Sequence, residues 1–433
     1  MPLATQGVTV TFTDEGVGTV TDYSGSIDSF TSIERVEGTM FADVMTGAAG
    51  YQSFEGRGGN DTIDGGEGFD EVSYRGTRDD FAEQGGVVVD LAAGTATDTF
   101  GDTDTLINIE GVRGTELGDR LTGNDEYNDL RGEGGDDTLT GGGGDDRIRG
   151  DNGTDTAIYE GNQSNYTLTL SANETRITDR RADGEGSDEL LSVERLDFET
   201  EVALLGDGPM DLDRFDDAVT LSSDDFASIA ELYIAYFNRA PDAIGLNFWA
   251  SAFARGEVDL PGMAELFFDQ AETRTAYAAS LNEGGTEITD VPAFVTAVYT
   301  NVLGRPFDQA GLDFWAGVLQ RGDVTPGAFI GEIIRGAKAD PAPGASQAFI
   351  DQQLADRQYL DDKIDIGIHF SVINGMSDTT NAATVMDLFT GTQESIDAAV
   401  ALSNQLLSEA QSADGAEFLM QLVGVIDDPF AGV

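Results

Sequence analysis

The stretch GEGGDDTLTGGGGDDRIRG, Gly132–Gly150, repeats a pattern of nine residues. Glycine opens each unit and recurs at its fourth place, Asp holds the sixth place, and a large apolar residue holds the eighth. Glycine permits the positive-φ backbone of a tight turn, and the apolar residue can begin a short strand that faces inward. We therefore predict that each unit is a turn followed by a strand. Two units then form one coil of a flattened parallel β-roll.

This pattern occurs in two arrays, residues 38–73 and 114–158. The sixth places are held by Asp43, Gln52, Asp61, Asp70, Asp119, Asn128, Asp137, Asp146 and Asp155. Gln52 should weaken its turn, Asn128 keeps an oxygen but loses a charge, and the start of the second array is poor in glycine. A flexible Gly/Asp-rich linker is the alternative, but a linker has no reason to place an apolar residue at every eighth position.

The turns predict a metal site built from oxygen ligands. Carboxylates and backbone carbonyls from neighbouring turns would form an all-oxygen cage, and such ligands at flexible spacing favour Ca²⁺. The alternative for each Asp is a solvated turn carboxylate. The predicted metal ligands are Asp43, Gly58, Asn60, Asp61, Gly66, Gly68, Asp70, Asp119, Asn128, Gly134, Asp136, Asp137, Gly143, Asp145, Asp146, Asn152 and Asp155.

Composition limits the possible partners. The 433 residues contain 23 Lys+Arg against 80 Asp+Glu, a formal net charge of -57. This charge argues against nucleic acid and anionic membrane surfaces as partners, and divalent cations are the natural counter-charge. The chain has no Cys, which excludes disulfides and thiolate metal sites. It shows no Sec signal peptide and no transmembrane stretch.

A second repeat surrounds the arrays. The motif D-x-Φ-x-x-Φ-E-x-Φ, with Φ apolar, occurs at residues 28–36, 104–112 and 188–196. We predict that residues 1–205 form one β-solenoid-like body with two calcium-bound sections, followed by a linker at 206–221. Because the core of such a roll is thin, much of its cohesion should come from metal.

The rest of the chain predicts an all-α region. Apolar residues recur there with a period of 3.6. We expect a tandem helical repeat domain over 222–345 and further helices over 346–433. The segment NRAPDAIGLNFW, Asn238–Trp249, recurs 66 residues later as GRPFDQAGLDFW, Gly304–Trp315.

Each copy of this motif contains an Arg, an Asp and a Trp, which are Arg239, Asp242, Trp249, Arg305, Asp308 and Trp315. The Asp residues are predicted helix N-caps. The Arg residues are expected to bridge to them or to the preceding helix end, and the Trp residues to pack between helices. The functional alternative is that these side chains line a sugar-binding cleft.

The arrays resemble the RTX, or haemolysin-type, calcium-binding repeat proteins, and the motif over about 226–340 is similar to the helical domain of unknown function 4214. The RTX resemblance implies several Ca²⁺ ions, an extracellular location and export by type I secretion machinery that reads an uncleaved C-terminal signal. Residues 415–433, an amphipathic segment free of Lys and Arg, fit such a signal in composition. A closing core helix is the alternative.

Several chemistries are excluded. The single His, at position 369, rules out an H-E-x-x-H zinc protease, and the absence of Cys rules out a thiol nucleophile. No G-x-S-x-G elbow is present. We therefore expect a non-enzymatic structural or interaction protein of the bacterial surface or extracellular matrix that folds on Ca²⁺ binding. The alternatives are a calcium-dependent glycan-binding module or adhesin, and a carbohydrate-active enzyme with a carboxylate pair. Expected partners besides calcium are cell-surface polysaccharide or further copies of the chain.

Overall fold

The computed structural model describes residues 6–75, 85–200, 208–282, 287–412, 415 and 417–431. Its strands are β1 (Thr9–Asp14), β2 (Val17–Thr21), β3 (Ile27–Thr31), β4 (Arg35–Glu37), β5 (Val44–Thr46), β6 (Ser53–Glu55), β7 (Thr62–Asp64), β8 (Glu71–Ser73), β9 (Val88–Asp90), β10 (Thr95–Thr97), β11 (Thr103–Ile107), β12 (Gly111–Arg113), β13 (Arg120–Thr122), β14 (Asp129–Gly134), β15 (Thr138–Thr140), β16 (Arg147–Asn152), β17 (Thr156–Asn162), β18 (Tyr166–Ser171), β19 (Thr175–Asp179), β20 (Ser187–Leu191), β21 (Arg195–Thr200), β22 (Met210–Asp211) and β23 (Leu419–Val423). Its α-helices are α1 (Ser223–Phe237), α2 (Ala243–Ala254), α3 (Leu260–Phe268), α4 (Ala271–Ala276), α5 (Val291–Leu303), α6 (Gln309–Arg321), α7 (Pro326–Lys338), α8 (Gln347–Ile368), α9 (Thr379–Asp387) and α10 (Gln393–Ala410).

The chain divides into two compact units, one within residues 1–167 and 174–212, the other within 168–173 and 213–433. The first unit is the β-roll. One of its sheets has the order β3-β2-β1-β5-β7-β11-β10-β9-β13-β15-β17-β21-β22, and the other runs β4-β6-β8-β12-β14-β16-β20-β19. Successive nonapeptide units therefore alternate between the two sheets.

The register of the roll is one coil of 18 residues. Val44 of β5 pairs in parallel with Thr62 of β7, and Leu121 of β13 pairs with Leu139 of β15. This spacing confirms the prediction that two units make one coil. The eighth-place side chains point between the sheets and form the core, in which Met45, Phe54, Ile63, Val72, Leu121, Leu130, Leu139, Ile148 and Ala157 are fully buried.

A short antiparallel meander separates the arrays. Strand β9 pairs with β10, and β10 pairs with β11, both antiparallel. Strand β11 then returns in parallel beside β7 of the first array.

The second unit is helical, as the 3.6-residue period predicts. Capping side chains begin its helices: Asp242 accepts from the N–H of Gly245 at α2, and Asp308 accepts from the N–H of Gly311 at α6, each at 2.7 Å. These contacts confirm both predicted N-caps. Within the predicted all-α region, α8 is followed directly by a π-helical turn over His369–Ile373.

Residues 206 and 207 of the predicted linker at 206–221 lie outside the described residues. The remainder of the linker is structured. Met210 of β22 pairs with Leu196 of β21 at the end of the roll. In the helical unit, the N–H of Ala218 donates to Ser251 Oγ at 2.9 Å. The glycine-rich start at Gly206 predicted a spacer, but the apolar residues that follow it, Met210 and Phe215 among them, are buried.

The expected amphipathic helix over residues 415–433 is wrong in its described part. That segment contains β23, whose Phe418, Leu419, Met420 and Leu422 are buried. The N–H of Met420 donates to the carbonyl of Gly375 at 2.8 Å. A nearly continuous apolar run between Gly415 and Gly424 is short enough for a buried strand and does not require a helix.

Candidate calcium-binding turns

A ladder of hydrogen bonds joins the sixth-place residues of successive coils. The N–H of Asp119 donates to Asp137 Oδ1 at 2.7 Å, and the N–H of Asp137 donates to Asp155 Oδ1 at 2.8 Å. Equivalent bonds join Asp43 to Asp61, Gln52 to Asp70 and Asn128 to Asp146. One side-chain oxygen of each later residue is therefore used by the fold. The turns differ in whether the remaining polar atom of the sixth-place side chain accepts a hydrogen bond from its own turn.

Four turns satisfy that atom internally, and we call them closed turns. In each, the N–H of the second-place residue donates to the sixth-place side chain, from Thr39 to Asp43 Oδ2 (2.6 Å), Ala48 to Gln52 Oε1 (2.9 Å), Thr115 to Asp119 Oδ2 (2.6 Å) and Asn124 to Asn128 Oδ1 (2.7 Å). The hydroxyls of Thr39 and Thr115 donate to Oδ1 of the same Asp residues. The Gln52 amide also donates to the carbonyl of Ala49 at 3.2 Å.

Five turns leave that atom without a donor, and we call them open turns. Their second-place residues are left-handed: Arg57 (φ 73°), Gly66 (φ 98°), Glu133 (φ 76°), Gly142 (φ 94°) and Asp151 (φ 70°). Among the described residues, their sixth-place Oδ2 atoms are buried without a hydrogen-bond partner, in Asp61, Asp70, Asp137, Asp146 and Asp155. Where the second-place residue is left-handed, its N–H does not donate to the sixth-place side chain as it does in the four closed turns.

The open carboxylates are poorly stabilised as anions by the protein itself. Burial, the largest cause, and neighbouring carboxylates together raise the pKa of Asp61 and Asp137 to about 8. Burial likewise raises the pKa of Asp70 and Asp146 to about 7 and that of Asp155 to about 6. A buried charge needs a counter-charge or a proton, so each open turn is suited to a cation.

The donor set fits Ca²⁺. Within the described residues there is no cluster of three or more His, Cys, Asp or Glu side chains that would hold a metal by side chains alone. Each open turn instead offers one free carboxylate oxygen beside the carbonyls of a glycine-rich turn, and Ca²⁺ accepts carboxylate and backbone carbonyl oxygens together. Space is reserved for that oxygen, because a Cβ built on Gly132 would overlap Asp137 Oδ2.

The remaining predicted ligands fall into two groups. Gly58, Gly134 and Gly143 hold the third places of open turns, and Gly66 and Gly68 are the left-handed glycines of another open turn. The fifth-place side chains instead join coils: Asn60 accepts from the N–H of Thr103 (2.8 Å), Asp136 from Thr154 (2.9 Å) and Asp145 from Ser187 (2.9 Å). Asn152, in a third place, is exposed, and its amide donates to the carbonyl of Glu133 at 3.5 Å.

Sequence reasoning missed the residues that end the arrays. Asp104 and Asp188 continue the ladder by accepting from the N–H of Asp61 (3.0 Å) and Asp146 (2.9 Å). Their second oxygens accept from the hydroxyls of Tyr74 (3.1 Å) and Tyr159 (3.0 Å), so they are satisfied without metal. Glu110 and Glu194 accept from Asp70 and Asp155 in the same way. The signal was present, because these four residues are the Asp and Glu of the repeated D-x-Φ-x-x-Φ-E motif.

In the helical unit, the first Arg/Asp/Trp motif is packed. Arg239 is buried and bonds to Asp242 at 3.1 Å and to Glu272 of α4. The ring of Trp249 meets Phe267 of α3 edge-to-face, with centroids 5.2 Å apart. The predicted bridge from Arg239 to the capping Asp is thus confirmed.

The second motif differs. Arg305 bonds through Nε and NH2 to the carboxylate of Asp356 on α8, each at 2.6 Å, and not to Asp308, one of the two partners expected from the sequence. Helix α8 supplies a carboxylate in bidentate geometry, which suits a guanidinium. Trp315 meets Phe329 of α7 at 5.1 Å, and Arg305, Asp308 and Trp315 line one cleft.

Family models match part of the β-roll and part of the helical unit. The RTX calcium-binding nonapeptide repeat (4 copies) matches residues 37–72 and 122–157. A domain of unknown function, DUF4214, matches residues 264–330, which run from α3 into α7 and include the second motif. No curated protein gives a significant match. Within the described residues, none of the helices is long and apolar enough to cross a membrane. The chain therefore carries RTX calcium-binding repeats in its β-roll and a DUF4214 domain in its helical unit.

Proposed function

We propose that this protein is a secreted, calcium-binding structural or interaction protein whose β-roll folds when Ca²⁺ binds after export. The observation that carries the proposal is the set of five open turns, each with a buried carboxylate oxygen that has no partner among the described residues. The RTX matches independently support calcium binding and point to secretion.

The chain's own charges explain why folding should wait for calcium. Its net charge is -57, and the carboxylates of Asp43, Asp61 and Asp104 follow one another along one edge of the roll. Bound Ca²⁺ would supply the missing counter-charge. Free cytosolic Ca²⁺ lies far below the ~10⁻⁴–10⁻³ M dissociation constants typical of extracellular calcium modules. The chain would then stay loose until the type I machinery exports it.

We assign the protein to the cell surface or extracellular matrix, with assembly into larger particles as its mode of action. Support comes from the N-terminal end of the roll, where, within the described residues, β3 pairs only with β2 and β4 only with β6. In the second copy of the same motif, a strand of the preceding array covers the corresponding edge of β11. Ile33 is 39% exposed, whereas its equivalent Ile109 is 3% exposed. A second copy of the chain is the occupant we propose for this edge.

Calcium titration of the metal-free full chain tests the proposal. Circular dichroism reports β-structure, and light scattering reports particle size. We expect β-structure to appear cooperatively near millimolar Ca²⁺ and particle size to grow afterwards. A chain that is fully folded in chelator would refute calcium-driven folding. A chain that folds but stays monomeric would refute assembly alone.

The second candidate function is glycan binding or adhesion through the helical unit, favoured by the cleft beside Trp315. The third expectation, a carbohydrate-active enzyme, needs a free pair of facing carboxylates. In this cleft Asp356 pairs with Arg305, and Glu332 pairs with Arg335. Neither matched family is enzymatic, and we propose no enzymatic activity.

A further inference from the structure

The two helical repeats, 66 residues apart, diverge after their third helix. Helix α3 ends at Phe268, and the chain turns into the short helix α4, which packs against α1 and brings Glu272 to Arg239. Its counterpart α7 begins at the equivalent position, Pro326, but continues without a break to Lys338. Lys338 occupies the sequence position of Glu272 and pairs with Glu231 instead. The second repeat therefore has no counterpart of α4.

The side chain that covers the first Trp is also smaller in the second repeat. Phe267, which packs on Trp249, corresponds in sequence to Ile333. Trp315 instead contacts Phe329, the counterpart of Met263. The missing helix and the missing ring leave a cleft of about 670 Å³, lined by Trp315, Tyr299, Ile333, Phe349, Gln352 and Gln353 among others. A concave site with aromatic walls and a few polar groups is the usual form of a small-molecule site.

The cleft offers apolar surface to a ligand. Phe349 of α8, which lines the cleft, is 55% exposed. An exposed aromatic ring beside Trp315 presents a flat apolar face to a ligand. Such faces match the apolar face of a pyranose ring.

The polar groups of the cleft favour an uncharged ligand with hydroxyl groups. The carboxylates of Asp356 and Glu332 are neutralised by Arg305 and Arg335. Gln353 donates through Nε2 to the carbonyls of Gly336 and Ala339, each at 2.9 Å. Its Oε1 is buried without a partner among the described residues. That oxygen lies out of reach of a ligand, so the cleft presents paired charges, the capping carboxylate of Asp308 and neutral amides, a lining that disfavours an anionic ligand.

We propose that the cleft between α6, α7 and α8 is a binding site for a neutral saccharide. The rings of Trp315 and Phe349 contact the apolar face of a sugar, and the amide of Gln352, which lines the same cleft, meets its hydroxyls. In the first repeat, α4 and Phe267 occupy the corresponding positions. This inference deepens the second candidate function and is independent of whether the roll needs calcium to fold.

The two tryptophans of the chain provide matched reporters. In Trp249→Phe the only remaining indole is in the cleft, and in Trp315→Phe it is in the packed repeat. The full-length variants are held in saturating calcium and titrated with cellohexaose, maltohexaose and an oligogalacturonate, up to about 10 mM to cover weak binding. We expect a saturable change in Trp315 emission with at least one neutral hexasaccharide, weaker binding of the acidic oligomer, and no change in Trp249 emission.

Two glycines of α7 provide the matched mutants. A Cβ built on Gly336 or Gly331 has no neighbour within 4 Å, but only Gly336 lines the cleft. In the Trp249→Phe background, Gly336→Leu should weaken binding at least tenfold and Gly331→Leu less than twofold. Phe349→Ala, a change at an exposed side chain, should also weaken binding if Gly336→Leu lowers helicity. The inference fails if neither neutral sugar changes Trp315 emission, if the acidic oligomer binds more tightly, or if binding survives both cleft variants. Loss of sugar binding with normal calcium-driven folding leaves the main proposal intact.

Discussion

Open and closed turns share a sequence pattern, a register and a place in the roll, yet they leave different atoms unsatisfied. Asp119 and Asp137 lie one coil apart on the same edge, and both are buried. Asp119 receives the N–H and the hydroxyl of Thr115, whereas Asp137 Oδ2 has no donor among the described residues. The backbone at the second place differs in the same way, so one peptide orientation separates a closed turn from an open one.

Closed and open turns also follow the same order in both arrays. Each array begins with two closed turns, at Asp43 and Gln52 and at Asp119 and Asn128, and continues with open ones. Each array then ends on a tyrosine bound to an Asp of the D-x-Φ-x-x-Φ-E motif. The open turns are thus flanked on both sides by segments whose polar side chains find their hydrogen-bond partners within the protein. We infer that these segments limit fraying when calcium is scarce.

The largest effect expected from this contrast is that of pH on calcium affinity. Burial raises the pKa of Asp61 and Asp137 to about 8 in the folded, metal-free roll, so calcium binding to protein that is already folded must displace protons below that pH. Lowering the pH from 8 to 6 should weaken binding at such a site by up to about a hundredfold. Calorimetry in buffers of different ionisation enthalpy measures the protons released. Affinity independent of pH over this range would contradict the role of the open carboxylates.

The same shifts have the opposite effect in chelator. An Asp whose folded pKa is raised stabilises the fold at acid pH, and this contribution is lost as pH rises towards about 8 for Asp61 and Asp137. Metal-free protein should therefore show more β-structure by circular dichroism at pH 5 than at pH 8.5. More β-structure at the higher pH would show that the sign is wrong.

Removing one charge at each kind of turn compares them directly. Asp137→Asn removes the charge and leaves one side-chain oxygen for both the ladder bond and the cation, so the calcium midpoint for folding should rise about tenfold, or about 1.4 kcal/mol. Equilibrium dialysis should show fewer bound ions than in the parent. Asp119→Asn should bind the same number of ions and lose about 1–3 kcal/mol in urea unfolding at saturating calcium, because a buried donor is left unpaired. Equal loss of calcium from both variants would abolish the distinction.

A closed turn should become an open one when both its determinants are changed. The double variant Ala48→Gly with Gln52→Asp matches the sequence of the open turns. It should bind additional calcium and gain about 1.4 kcal/mol at ten times the dissociation constant of the new site. Gln52→Asp alone is the control, since the N–H of Ala48 would still donate to the new carboxylate. If the single variant binds as much calcium as the double one, the second-place backbone does not matter.

The smallest effect concerns the second-place residues themselves. Arg57 holds a left-handed backbone (φ 73°) that glycine adopts without strain, so Arg57→Gly should stabilise the calcium-loaded roll by about 0.5–1 kcal/mol. Thr39→Gly, in a closed turn, should destabilise it, because the hydroxyl bond to Asp43 is lost. Urea unfolding of the two variants supplies the comparison. A stabilising Thr39→Gly would argue against two classes of turn.

The sequence predicts the roll well because nine-residue spacing is a local code. The apolar eighth place and the 18-residue coil follow directly from counting, and the buried Leu121 and Leu139 pair as that count requires. The sequence also indicates two of the open turns, because the second-place glycines that precede Asp70 and Asp146 readily adopt a left-handed backbone. It does not predict that Arg57, Glu133 and Asp151 adopt the same left-handed backbone, because a non-glycine residue there is strained and only the neighbouring coils hold it in place.

The helical half was less predictable for a different reason. The motif around Asp242 and Asp308 predicts both N-caps, which are local. The partner of Arg305 is Asp356, 51 residues away, and no local pattern specifies that pairing. Nor does the sequence indicate that α7 continues past the point where α3 ends.

The most direct test is an anomalous diffraction measurement on crystals of the full chain grown with calcium. Peaks should lie beside Oδ2 of the five open carboxylates, which belong to Asp61, Asp70, Asp137, Asp146 and Asp155. The side chains of the closed turns, at Asp43, Gln52, Asp119 and Asn128, should lack peaks of their own and keep their bonds to the second-place N–H. An ion bound by Asp43 or Asp119 through Oδ2, or open turns without ions, would contradict the account.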